Sequence, residues 1–250
     1  MCTTTHSEVS EATKASLFTG SDLKQFQRDG FVIVRGLVSD EQCKHMLAIA
    51  QQHLEQQIEP VEYEADLHYP GSPASRSIQG GKTIRRLLQA YSRAPVFAQW
   101  VSSAALQGRL KQLIGGRIVM PLAHHNCIMT KHHEFSSDTG WHQDIRYWSF
   151  QKSDLITAWL ALGSEYKENG GLRVIPGSHR ATIQDYQRDD AQFLRTDLAE
   201  NQRLINKSID IHLEAGDVLF FHCLLLHSAN RNRTEKNKTS AVFTFRSADN

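Results

Sequence analysis

The chain has 250 residues, 28 basic against 27 acidic, for a formal net charge of +1; so even a balance gives no field to hold nucleic acid or an anionic membrane, and points to a small-molecule partner. No run of 18 apolar residues occurs, so no helix is expected to span a bilayer. Four cysteines at positions 2, 43, 127 and 223 show neither CxxC spacing nor the density of a disulfide scaffold, and read as thiols of a reducing, cytoplasmic compartment.

Residues 1–16, MCTTTHSEVSEATKAS, are polar and without periodicity, and lack the apolar core of a secretory leader; a mobile tail is expected there. Residues 17–250 are expected to form a single domain. LKQFQRDG predicts a short helix with Ser21 as cap and Gly30 at its end, followed by the β-rich run FVIVRGLV. Ser39-Asp-Glu-Gln42 opens a second helix whose apolar positions Met46, Leu47, Ile49, Ala50 and Leu54 keep helical spacing up to Gln57. Residues 58–82, with Pro60, Pro70, Pro73 and three glycines, read as a long loop, of which 68–81 is a candidate lid. TIRRLLQAYSR and VFAQWVSSAALQGRLKQLIG then read as helices, Pro95 starting the second and Gly115-Gly116 ending it.

From Arg117 the texture changes to short β-rich stretches separated by Gly, Asn and Asp turns: RIVMPLAHHNCIMTK, LITAWLALG, LRVIPGS, SIDIHLEAGDVLFFHCLLLHSAN and SAVFTFRSA. No repeat or linker divides the halves, so the expectation is mainly β: a barrel or sandwich core with a helical buttress.

Within WHQDIRYWSF, His142 and Asp144 stand two residues apart, a spacing that puts both side chains on one face of a strand. Two histidines and one carboxylate form the facial triad that holds Fe(II) with coordination positions open, so the HxD pair needs a distant third ligand. GDVLFFHCLLLHSAN offers His227 or His222. Their odd offset would place them on opposite faces of a continuous strand, so at most one can serve. His124, His132 and His133 lack a closing partner and read as a solvated turn.

WHQDIRYWSF, SDLITAWLAL, ENGGLRVIPGSHR and GDVLFFHCLLLHSANRNRTEKNK, in that order and preceded by LKQFQRDGFVIVRGLVSDEQC, resemble the phytanoyl-CoA dioxygenase family of Fe(II)/2-oxoglutarate oxygenases. The resemblance spans most of the chain and is weak only over residues 56–115. It implies a double-stranded β-helix, or jelly roll; His142, Asp144 and His227 as iron ligands; and 2-oxoglutarate and O2 as cosubstrates. The family's arginine for the far carboxylate of 2-oxoglutarate lies eleven residues after the distal histidine, where this chain has Lys238. A lysine is a point charge without the guanidinium fork, and Arg233, eleven residues after His222, or Arg246 could stand in.

The same resemblance places Trp159, His125, Cys127 and Ser228 near the cosubstrate. Family members that transfer halogen replace the triad carboxylate, so Asp144 implies hydroxylation, or another oxidation that begins with hydrogen abstraction, over halogenation. Arg146 and Tyr147, just after the HxD pair, suit a substrate with an anionic group and a planar or apolar body. Arg85, Arg86 and Arg93 read chiefly as a solvated helix face. One fold serves many substrates, and the expected one is a small polar or secondary metabolite. An acyl-CoA, or a binding protein that has lost turnover, is the alternative.

Overall fold

Helix α1 (Gly20–Asp29) comes first in this computed structural model, which describes residues 17–250; the expected tail over 1–16 lies outside the described residues. Its cap is Thr19, not Ser21. The Thr19 hydroxyl accepts from the Asp22 N–H at 3.2 Å and the Asp22 carboxylate accepts from the Thr19 N–H at 2.8 Å, a reciprocal arrangement that leaves Ser21 inside the helix. Gly30 ends the helix at φ 82°, a left-handed turn that needs no Cβ, and leads into strand β1 (Phe31–Val34). Helix α2 (Asp40–Glu55) is capped by Ser39 as expected and buries Cys43, Met46 and Ala50.

The segment expected as a loop from 58 to 82 contains strand β2 (Val61–Tyr63) and one helical turn, α3 (Glu64–Leu67). TIRRLLQAYSR is not a helix: it divides into strand β3 (Ile84–Leu88) and a single turn, α4 (Ala90–Arg93). Ile84, Leu87 and Leu88 have the i, i+3, i+4 spacing of a helical face, but five residues are too few for periodicity to separate the two states. Pairing decides it, since β3 is hydrogen-bonded to β2 on one side and to a further strand on the other. The long helix expected next is two, α5 (Pro95–Val101) and α6 (Ala104–Ile114), broken at Ser102-Ser103 because the Ser103 hydroxyl caps α6 by accepting from the Leu106 N–H.

The second half supplies β4 (Ile118–Val119), β5 (Asn126–Lys131), β6 (Thr139–His142), β7 (Leu155–Ala161) and β8 (Leu172–Val174). After helix α7 (Ala199–Ile205) come β9 (Ile209–Asp210), β10 (Val218–His222), β11 (His227–Ala229) and β12 (Lys238–Ser247). One sheet runs β1-β10-β7-β12-β5-β3-β2 with β4 also on β12; the other runs β6-β11-β8-β9. Neighbours are antiparallel, and this is the jelly roll expected.

Period-two alternation sorts the large sheet's side chains between two cores. Ile156, Ala158, Leu160, Phe220, Ala241 and Phe243 face the helices, packing with Met46, Phe97 and Trp100. Their alternates Trp159, Ala161, Leu219, Phe221 and Val242 face the small sheet and meet Leu172 and Val174. The helical layer therefore covers one face, and the other is left to enclose a cavity. Among the described residues no helix is long and apolar enough to cross a membrane.

Candidate metal centre and its cavity

Strands β6 and β11 pair so that His142 and His227 are Cα partners, and their ring centroids lie 4.2 Å apart. Each ring is aimed by its own backbone: His142 Nδ1 is 2.9 Å from the Gly140 carbonyl and His227 Nδ1 is 3.0 Å from the Leu225 carbonyl. A carbonyl accepts only from a protonated Nδ1, so each Nε2 keeps a lone pair directed inward. Strand β6 ends at His142; Gln143 is extended and Asp144 opens a 3-10 turn, Asp144–Tyr147. The carboxylate thereby swings back to lie 3.6 Å from His142 Nε2 and 3.5 Å from His227 Nε2 through Oδ1.

Asp144 is fully buried, and neither of its oxygens has a hydrogen-bond partner. An orphaned carboxylate in a dry site is costly unless a cation answers it. The ligand atoms of His142, Asp144 and His227 all lie within 4.8 Å of one another, so the donor set fits a divalent metal held on one face. Burial, reinforced by neighbouring His227, pushes the His142 imidazole down to about 3, so it is neutral and metal-ready. Burial alone would raise Asp144, but the neighbouring His125, His227 and His142 outweigh it and hold it ionised.

His222 does not join them. It closes β10 in the large sheet, whereas His227 opens β11 in the small one, and its Nε2 lies 3.7 Å from Asp154 with Nδ1 accepting from the Leu224 N–H. The two histidines belong to different sheets, and of the two it is His227 that stands beside His142 and Asp144.

His125 sits at φ 49° just before β5, with Nδ1 3.4 Å from Asp144 Oδ2 and 3.3 Å from Thr244 Oγ1. Burial lowers it to about 4, against the pull of Asp144. Trp159 and Ser228 line the same cavity. Cys127 is absent from that wall; it is packed in the core beside Trp159, and burial pushes its thiol up to about 12. Lys238 does line it, though its Nζ is already 3.2 Å from Glu165 Oε2. Arg233 is exposed, and the guanidinium of Arg246 donates to the Ser247 and Asn250 carbonyls over the Phe150 ring, so neither reaches the cavity.

At the mouth, Tyr147 stacks on His124 with centroids 3.7 Å apart. His124 is thus packed against the site, with Nε2 3.0 Å from Arg86, rather than part of the solvated turn expected for it. Only His132 and His133 form that turn, where His132 Nδ1 accepts from the Glu134 and Phe135 N–H groups. Arg146 donates to the Tyr69 and Tyr147 hydroxyls and the Ala191 carbonyl, its guanidinium 4.3 Å from the Phe193 ring. It ties the 68–83 loop to the 188–193 segment.

Sequence reasoning missed three cationic wall residues. Arg85 and Arg86, expected on a solvated helix, are 1% and 6% exposed and line the cavity, paired with Glu64 and Glu62. Lys131, at the end of β5, lines it too. Glu165, which accepts from the Trp159 indole and from Lys238, carried no motif that would mark it.

The sequence profile of the family described as Phytanoyl-CoA dioxygenase (PhyH) matches residues 26–240. The ectoine dioxygenase of Streptomyces avermitilis is 26% identical over 93% of this chain and 80% of its own length. The peroxisomal phytanoyl-CoA dioxygenase of Homo sapiens is 24% identical over 94% of this chain and 70% of its own. Among solved structures, EctD from S. alaskensis with 2-oxoglutarate and 5-hydroxyectoine superposes with a TM-score of 0.75 at 20% identity, covering 93% of this chain and 77% of that one. The epimerase SnoN in complex with Fe3+, alpha ketoglutarate and nogalamycin RO does so at 0.72 and 20%, covering 96% and 85%. At such identities the structural likeness establishes the fold.

Proposed function

Because the chain belongs to the phytanoyl-CoA dioxygenase family, we propose that it is an Fe(II)- and 2-oxoglutarate-dependent dioxygenase that hydroxylates a small polar or secondary metabolite. One oxygen atom of O2 enters the substrate C–H bond as hydroxyl; the other enters succinate as 2-oxoglutarate loses CO2. The observation that carries this reading is the buried, unpartnered Asp144 carboxylate between two histidines whose Nε2 atoms face it. Fe(II) held there would supply the redox chemistry that dioxygen requires and that no side chain provides.

The protein's own part is to bind, orient and exclude water. In our reading residues 17–250 form one catalytic domain, and His142, Asp144 and His227 hold the metal. Trp159, Ser228 and His125 line the cosubstrate space, and the far carboxylate of 2-oxoglutarate lies toward the end where Lys238 stands. Arg146 and Tyr147 receive the substrate at the mouth. The three acceptors that Arg146 meets are hydroxyls and a carbonyl, none of them charged. Its charge therefore stays available to an anionic group on the substrate, with the Tyr147 and Phe193 rings beside it for a planar or apolar body. The buried free thiols Cys43, Cys127 and Cys223 support a reducing, cytoplasmic setting.

The test is anaerobic addition of Fe(II) and 2-oxoglutarate, followed by the weak visible charge-transfer absorption of a chelated keto acid, and then succinate release on admitting oxygen. Both signals are expected from the purified protein, and both should vanish in Asp144→Ala. Their absence from folded, iron-supplied protein would sink the dioxygenase reading.

A further inference from the structure

Four cationic side chains line the cavity: Arg85, Arg86, Lys131 and Lys238. Three carboxylates answer three of them, Glu64 at 3.3 Å from Arg85, Glu62 at 3.5 Å from Arg86 and Glu165 at 3.2 Å from Lys238. The Lys238–Glu165 pair is closed on itself. Ser240 Oγ accepts from Lys238 Nζ at 3.0 Å and donates to Glu165 Oε1 at 2.6 Å, and the Trp159 indole donates to Glu165 as well. Lys238, the residue at the expected cosubstrate position, thus has its charge offset inside the protein.

Lys131 differs. It is 4% exposed, and its ammonium donates to one backbone carbonyl, that of Ser137. Among the described residues no carboxylate lies within ion-pair distance of it, which leaves the wall one positive charge in excess. Register sharpens the point, because Lys131 on β5 and Lys238 on β12 are direct cross-strand Cα partners. Like charges placed opposite each other destabilise a sheet. Glu165 relieves one of the two lysines at contact distance, whereas Glu64 and Asp138 act on the other only from beyond ion-pair distance and are already paired, with Arg85 and Arg231. Burial, with Arg85 and Lys238 nearby and only Glu64 and Asp138 opposing, pushes the Lys131 ammonium well below the ordinary lysine range, so the fold alone disfavours a charge that an anion bound beside it would restore.

We propose that Lys131, rather than Lys238, supplies the positive charge that binds the far carboxylate of 2-oxoglutarate, making it the residue that selects a dicarboxylic over a monocarboxylic keto acid. The assignment rests on the dioxygenase reading above, which fixes what kind of anion enters. Lys238, neutralised by Glu165, shapes the pocket wall and leaves the ligand's charge to its cross-strand neighbour.

The experiment compares two keto acids that chelate iron through the same atoms, 2-oxoglutarate and 2-oxovalerate, the second ending in a methyl group where the first has its far carboxylate. Dissociation constants are measured anaerobically on the Fe(II)-loaded protein by calorimetry and by the visible band. Wild type should prefer 2-oxoglutarate. In Lys131→Met the affinity for 2-oxoglutarate should fall by about tenfold to a hundredfold, the span for losing a hydrogen bond to a charged group, while 2-oxovalerate binds as before. Retained 2-oxovalerate binding also reports that the variant is folded. In the double variant Lys238→Met with Glu165→Gln, which removes both charges of the closed pair, the preference should survive. A wild-type preference in Lys131→Met, or its loss in the double variant, would overturn the assignment; the double variant decides alone if Lys131→Met does not fold. Failure of wild type to bind either acid would instead overturn the dioxygenase reading, and this inference with it.

Discussion

At its metal end the cavity leaves polar atoms bare: both Asp144 oxygens are buried without partners, and two imidazole nitrogens point at them. At its far end the same cavity holds at least as many ionisable groups, yet these are matched into pairs, Arg85 with Glu64, Arg86 with Glu62 and Lys238 with Glu165. Bare donors in a dry place are a standing cost that only a cation removes; closed pairs are indifferent to what arrives. A binding site can therefore be located by looking for what the fold has left unanswered. Here that is one carboxylate at one end and one ammonium, Lys131, at the other.

The largest effects should fall at the bare end. Asp144→Ala and His227→Ala should each lower iron-dependent succinate formation by more than the roughly hundredfold that loss of an outer partner of a metal costs, whereas His222→Ala should leave it nearly unchanged. The comparison predicts a second, opposite effect. Without metal, Asp144→Ala should raise the thermal midpoint by a few degrees, because it removes an unpaired buried charge, and should abolish the further rise that Fe(II) gives to wild type. A metal-free variant less stable than wild type would mean that Asp144 is not, after all, left unanswered.

At the paired end the sign reverses. Glu165→Gln strands Lys238 as a second uncompensated cation beside Lys131, and should cost about 3 kcal/mol in urea unfolding. Smaller again is Arg146→Ala, which should speed amide exchange in the 68–83 and 188–193 segments that Arg146 joins, with a global cost of about 1 kcal/mol. A last effect, confined to acid pH, lies outside the cavity. Burial lowers His222 to about 4, with Asp154 opposing and His179 assisting. A histidine kept neutral in the fold but free to charge when unfolded contributes stability above pH 6.5 that is lost as pH falls from there toward 4. His222→Asn should flatten that part of the stability curve.

The unequal legibility of the two ends has a physical cause. The metal end rests on local information: His142 and Asp144 are two residues apart, and alternation along LITAWLALG and SAVFTFRSA marks strands with two buried faces. His227 needed more, since spacing alone could not tell that the chain changes sheets between His222 and His227. The far end rests on pairing between distant segments. Lys131 meets Lys238 only through the β5–β12 register, and no pattern within HHNCIMTK or RTEKNK encodes that register. Arg85 and Arg86 were misplaced for the same reason, because β3 is a strand only by virtue of β2 and β5. Lys238 was found by position, but its neutralisation by Glu165 was not, as a glutamate in GSEYKENGG resembles any surface glutamate.

His142 and His227 are each steadied by a carbonyl two residues upstream, Gly140 within β6 and Leu225 just before β11. Their orientation is consequently a property of main chain, and main chain is what two diverging sequences share when their side chains no longer agree. Loops, mouth and far wall are free to be rewritten around such a ribbon without turning either ring. A fold whose catalytic aim is written in peptide units tolerates the drift that separates this chain from relatives only 26% identical to it, and lends itself to being given new substrates from the rim inward.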